Sequence, residues 1–204
     1  MTGFWDFDSQ NAADSSGDGN NGTLVGTPTF SGSVPFTSSG NTYSIFFSGT
    51  NHVSVPNAPA INPNNEMTIA FWICGGTNGA NYECPVAKDD YTTGWAFQRY
   101  GGNGIALRID TSAGNAQLKC AVTCLTGTWH YVAYVLNNGT VSAYMDGALV
   151  STGTYLVGNG FANSSEPLTI GSLTWGNNLT GLMDEVQLYD QALTAAQISA
   201  IMYY

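Results

Sequence analysis

Residues 128–150 read TWHYVAYVLNNGTVSAYMDGALV, and no other stretch limits the fold so strongly. Asn138–Gly139 and Asp146–Gly147 are pairs that two-residue hairpin turns favour, because both central residues there need positive φ. β-branched and aromatic residues fill the segments around them. The stretch therefore predicts two tight hairpins in series. GFWDFD, GTLVG, YSIFF, HVSV, PVAK, WAFQRY, GIALRID, AQLKCAV, PLTIGS and LMDEVQLYD continue the rhythm as short strands separated by Gly, Asn, Asp and Ser. TIAFWIC is among the strongest strands, with no internal Gly or Pro. A βαβ alternation is missing. The pattern predicts an all-β, two-sheet antiparallel sandwich.

One short C-terminal helix is predicted after Leu193. Thr194 caps it, Gln197 completes a capping box, and Leu193 and Ile198 sit at the staple positions. Ile198, Ile201 and Met202 share one face. Hydrophobic residues are 43% of the 204, and there are 25 glycines, enough for one core and many turns. Residues 1–204 read as a single domain.

Charge narrows the partners. Lys and Arg total 4 against 14 Asp and Glu, a formal net charge of −10. Such a chain has no basic patch for phosphates, which excludes nucleic acid, and it disfavours anionic membrane. Divalent cations and neutral polymers remain compatible. No apolar run is long enough to span a membrane. Met1 runs at once into Thr2, Gly3 and FWDF without a basic and apolar leader, so the chain reads as a mature fragment or one module of a longer protein. The four cysteines, Cys74, Cys84, Cys120 and Cys124, suggest an oxidising, extracellular setting, with Cys74–Cys84 the expected disulfide. Cys120 and Cys124 can bond only if the chain turns between them. Four N-glycosylation sequons begin at Asn21, Asn138, Asn163 and Asn178.

The final strand poses a problem. In GLMDEVQLYDQAL, strict alternation puts Leu182, Asp184, Val186 and Leu188 on one face and Met183, Glu185 and Gln187 on the other. An inward carboxylate needs a partner, and no Lys or Arg lies nearby in sequence. The turn DSSGDGNNG offers Asp14, Asp18, Asn20 and Asn21 as oxygen donors, which suit Ca2+ with six to eight ligands at roughly 2.3–2.6 Å. The alternative is that Asp14 and Asn20 only cap their own turn.

Catalysis is poorly supplied. The four glutamates are Glu66, Glu83, Glu166 and Glu185, and no two lie close on one strand face. Asp184 and Glu185 are adjacent, so on a regular strand they point to opposite sides. A retaining glycosidase needs two carboxyls roughly 5–5.5 Å apart. His52 and His130 are the only histidines, and no G-x-S-x-G elbow exists. The run K-D-D at 88–90 reads as a solvated turn. For binding, Trp175 and Asn177 lie in the Gly/Asn-rich SLTWGNNLTG, and Tyr91 and Trp95 lie in DDYTTGW. Exposed aromatic faces there, beside amides, suit a sugar ring and its hydroxyls. Trp5, Trp72 and Trp129 read as core.

FWDFDSQNAADSSGDGNNGTLVG, TIAFWI, GTWHYVAYVLNNGTVSAYMDGALV and LTIGSLTWGNNLTGLMDEVQLYDQALTAAQISAI, taken in order from Phe4 to Ile201, resemble the laminin-G-like, concanavalin A-like lectin/glucanase superfamily. The resemblance implies a jelly-roll sandwich. It also implies a structural calcium near the first turn and the final strand, which maps to Asp14, Asn20 and Asp184. Glucanases of this kind carry Glu-x-Asp-x-x-Glu on the catalytic strand, and this chain has no such run. The expected function is a non-catalytic, lectin-like module for a glycan or polysaccharide, within a larger extracellular, cell-surface or virion-surface protein. A structural or adhesion module that binds protein is the alternative, and a glycoside hydrolase or lyase comes third.

Overall fold

A computed structural model describes residues 1–37, 40–63, 65–77, 79–90, 92–110, 117–155, 163–174 and 176–204. Two antiparallel sheets form a sandwich. The first runs, in spatial order, β13 (Ala148–Thr154), β12 (Thr140–Met145), β11 (His130–Asn137), β6 (Glu66–Gly75), β15 (Thr180–Tyr189), β4 (Ser44–Ser48) and β3 (Thr29–Ser31). β1 (Gly3–Trp5) also pairs with β15. The second sheet runs β10 (Gln117–Thr123), β9 (Gly104–Asp110), β8 (Gly94–Tyr100), β7 (Val86–Asp89), β14 (Leu168–Ile170), β5 (His52–Val55) and β2 (Thr23–Val25).

The two predicted hairpins are present. Asn138, Gly139, Asp146 and Gly147 all have positive φ. Asp146 reinforces its turn by accepting from Tyr131 N–H at 2.9 Å and meeting His130 Nδ1 at 2.9 Å. Alternate residues of the strands fill the space between the sheets: Phe71 and Ile73 from β6, Val132 and Tyr134 from β11, Phe97 and Leu107 from β8 and β9. Loss of their contact with water is the main force holding the sandwich shut.

The C-terminal helix, α1 (Ala195–Ile201), has the predicted capping box between Thr194 and Gln197. It covers part of the first sheet's outward face. Ile198 and Met202 pack there with Trp72, Tyr131 and Tyr189, and Trp72 Nε1 donates to Met202 O at 3.2 Å.

All four cysteines are free. Cys74 is half-buried on the outward side of the first sheet, next along β6 to the core residue Ile73. Cys84 is buried against Ala87 and Ala96 on the outward side of the second. The expected Cys74–Cys84 bridge is not formed. Cys120 sits at a bulge of β10 with positive φ, so the chain does turn there, yet its thiol meets Val141 O while Cys124 is sealed in the core.

The K-D-D run is not a solvated turn. Lys88 is buried and donates to Asn57 Oδ1, Ser164 O and Glu166 O. Asp89 is buried against Arg108, which also meets Asp110. Only Asp90 caps a turn, through Thr92 and Thr93.

Candidate functional site

The final strand breaks its own alternation. Asp184 stands opposite Trp72, and the next pair is Gln187 with Ala70, so one extra residue enters β15 between them. Glu185 takes φ 52 at this bulge. A bulge of this kind changes the face on which the following residues fall. Met183, Val186 and Leu188 face the core, while Leu182 and Asp184 face outward. Asp184 therefore does not share the face of Val186 and Leu188, contrary to strict alternation.

Its partners are also different from those expected. Asp184 is fully buried on that outward face, where Oδ2 accepts from Asn41 Nδ2 at 3.1 Å and Oδ1 from Glu185 N–H at 2.9 Å. Burial pushes its carboxyl up to about 9; the Asn41 and Glu185 hydrogen bonds oppose the rise, and the charges of Glu185 and Asp8 add to it. Asp14 serves its own turn. Its oxygens accept from the N–H groups of Phe4, Ser16 and Asn20 at 2.8–2.9 Å. Burial alone would raise its carboxyl, but these donors, Ser16 foremost, hold it below the usual carboxylate value. Asn20 spends its amide on Thr2 O at 2.7 Å. Asp14, Asn20 and Asp184 thus have separate partners and do not form a shared set of free oxygen donors. Among the described residues, no group of three or more His, Cys, Asp or Glu is placed to hold a metal ion.

Trp95 is also misplaced by the sequence reading. It lies in β8, is 1% exposed and packs edge-on against Phe97 at 5.8 Å. A ring enclosed in the core has no face for a sugar. Asn177 is exposed, with φ 58, and its carbonyl anchors Cys84 N–H at 2.9 Å. Tyr91 and Trp175 lie outside the described residues.

What the structure does assemble is an apolar row on the outward face of the first sheet. Thr29 pairs with Phe46, Phe46 with Leu182, and Leu182 with Cys74, so four neighbouring strands contribute one residue each in register. Phe46, Leu182 and Cys74 are each half-buried. They floor a cavity of about 580 Å³. Gly75, Gly76, Gly127 and Gly181 line it with bare backbone. A second cavity of about 510 Å³ shares Gly76 and Thr180 with the first and adds Thr77 and Glu83. Glu83 is neutralised by Arg99 at 2.8 Å. The joined groove is thus apolar in its floor, rimmed by hydroxyls and backbone groups, and without net charge. Volumes of this size suit small organic ligands. None of the row was singled out from sequence; the one signal was that Met183 and Val186, three apart, are both apolar, which a regular strand cannot bury on one side.

The fold has clear relatives. No characterised protein sequence matches the chain. Among solved structures, domain 4 of AbnA, a GH43 extracellular arabinanase from Geobacillus stearothermophilus determined with arabinotriose, is 20% identical with a TM-score of 0.79, covering 98% of this chain and 97% of that one. The binding domain of Paraclostridial Mosquitocidal Protein 1 is 15% identical, with a TM-score of 0.80 over 98% of this chain and 51% of that one. The botulinum neurotoxin serotype G binding domain is 12% identical, with a TM-score of 0.76 over 98% and 50%. The chain spans about half of each toxin domain. Among the described residues, no helix is long and apolar enough to cross a membrane. A family model described as the concanavalin A-like lectin/glucanases superfamily matches residues 47–199, and with the two-sheet sandwich this settles descent: the chain belongs to that superfamily.

Proposed function

We propose that the chain is a non-catalytic binding module for a neutral glycan, held in the groove over Phe46, Leu182 and Cys74. The carrying observation is the in-register row itself, an apolar strip on an outward sheet face edged by Thr29, Thr180 and exposed backbone. A pyranose or furanose ring has an apolar face and a hydroxylated edge, and a strip of this make-up matches both. Lack of net charge in the groove, in a chain of formal charge −10, favours a neutral polymer over an anionic one. The similarity to an arabinanase domain solved with arabinotriose supports the ligand class. From the sequence, Trp175, Tyr91 and Asn177 are carried forward as proposed ligand contacts. Such a module works outside the cell or on a cell or virion surface, as one part of a larger protein.

Protein binding is the second reading, supported by the similarity to toxin binding domains and by β13, an edge strand on which Leu149 and Val150 are 54% and 47% exposed. A bulge in β13 opposite Ala143 and Tyr144 works against it, because bulged edges resist strand addition.

The test is a broad neutral-glycan array followed by calorimetry on the wild type, Leu182→Asp and Trp175→Ala. Leu182→Asp puts a charge into the apolar floor and is expected to weaken binding at least tenfold. No binding across the array moves the assignment to protein recognition.

A further inference from the structure

One arginine ties three segments together where the groove reaches the end of the sandwich. Arg99 is 2% exposed. Its Nη2 donates to Gly76 O and its Nη1 to Gly102 O, each at 2.9 Å. Nε and Nη2 also donate to Glu83 Oε2, at 3.0 and 2.8 Å. Gly76 follows β6, Glu83 lies ahead of β7, and Gly102 lies in the turn between β8 and β9. The backbone is joined there too, since Arg99 N–H donates to Glu83 O at 2.8 Å. Gly79 packs onto the pair so closely that a Cβ there would collide with both side chains.

A buried ion pair carries a desolvation cost that apolar residues of the same size avoid. What this one supplies is position, because the loops it joins each carry an exposed ring. Tyr82, just before Glu83, is 56% exposed, and Tyr100, just after Arg99, is 52% exposed. Tyr82 takes φ 71, a left-handed conformation that strains a bulky residue. A turn closed by Glu83 N–H on Ala80 O at 3.4 Å keeps it there. Strain of this kind persists where the surroundings over-determine it, and ligand-contacting surfaces are one such place.

Both rings adjoin the groove. Ala80 and Glu83 line its second cavity, and Tyr82 stands between them in the chain. The bond from Arg99 N–H to Glu83 O brings Tyr100 to the same end. The row from Thr29 to Cys74 crosses three strand spacings, about 14 Å, and the second cavity continues it past Gly76 and Thr180. A floor of that length exceeds a single sugar.

We propose that Tyr82 and Tyr100 form a stacking subsite at the end of the groove, which takes an internal stretch of a linear, neutral polysaccharide rather than one terminal sugar. Each ring offers a face to the apolar side of a sugar. Arg99 is spent on Glu83, so the pair offers no counter-charge to an anionic polymer. This assignment rests on the glycan reading of the groove.

The test is calorimetry of the full chain with linear, neutral hexose and pentose oligosaccharides, each from the disaccharide to the hexasaccharide. It compares the wild type with Tyr82→Ala, Tyr100→Ala, Tyr82→Phe and Leu182→Asp. Both tyrosines are exposed, so their replacement leaves the core intact. Wild-type affinity is expected to rise with chain length. Each alanine variant is expected to lose about tenfold on the hexasaccharide and nothing on the disaccharide. Tyr82→Phe keeps the ring and is expected to bind as the wild type does. Equal affinity for disaccharide and hexasaccharide, or hexasaccharide binding that both alanine variants retain, overturns the proposal and leaves the groove reading intact. Hexasaccharide binding that survives Leu182→Asp and is lost in the alanine variants overturns the groove reading and leaves the tyrosine subsite. No binding of any oligosaccharide overturns both.

Discussion

Asp184 faces Trp72 across neighbouring strands, and both side chains turn away from the sandwich core. A strand that followed its alternation through residue 188 would have put Asp184 inside. The extra residue at Glu185 lets Asp184 stay outward while Val186 and Leu188 go in.

That arrangement makes stability fall as pH rises. Asp184 and Glu185 are pushed up to about 9 and about 8, above their unfolded values. The folded state therefore holds more protons than the unfolded one between about pH 4 and pH 9. The stabilisation is complete below the unfolded carboxyl pKa and is lost as pH rises through 8 and 9. Urea unfolding at pH 5 and pH 9 is expected to show a loss on the order of 1–3 kcal/mol, which Asp184→Asn reduces. Equal stability at the two pH values, with no effect of Asp184→Asn, contradicts this account.

Trp95 is a core residue and not a ligand contact. Trp95→Ala is expected to destabilise by about 3–5 kcal/mol, the range for truncating a buried aromatic. Denaturant unfolding measures it. A variant as stable as wild type that loses only glycan affinity returns Trp95 to the binding surface.

The cap on α1 holds a lid over an outward tryptophan. Thr194 N–H and Oγ1 both donate to Gln197 Oε1 at 2.8 Å, and Gln197 N–H returns to Thr194 Oγ1 at 3.3 Å. Thr194→Ala is expected to cost about 1 kcal/mol. Trp72, packed under the helix, is expected to become more accessible to a fluorescence quencher, and unchanged quenching counts against this role.

Four free thiols predict indifference to reductant. Thiol titration in denaturant is expected to find all four cysteines reactive without prior reduction. The melting temperature is expected to be the same with and without dithiothreitol. A drop of several degrees on reduction reveals a bridge.

Legibility in the sequence followed the range of the interactions. The hairpin turns at Asn138–Gly139 and Asp146–Gly147 and the cap at Thr194 are made by residues within a few positions of one another, so their residue types announced them. The acid cluster was visible only as composition. Asp6, Asp8, Asn41 and Glu185 meet because β15 leaves β4 and takes up β1, an exchange between segments far apart in the chain.

The sequence by itself determined the architecture: alternating apolar strands, positive-φ turn pairs and one capped helix leave a two-sheet sandwich as the way to bury the apolar faces. The tertiary structure decided which face each functional side chain occupies. One inserted residue at Glu185 reverses strand parity, and whether a strand admits it depends on packing against Trp72, Phe71 and Ala70 of β6 rather than on neighbours in the chain.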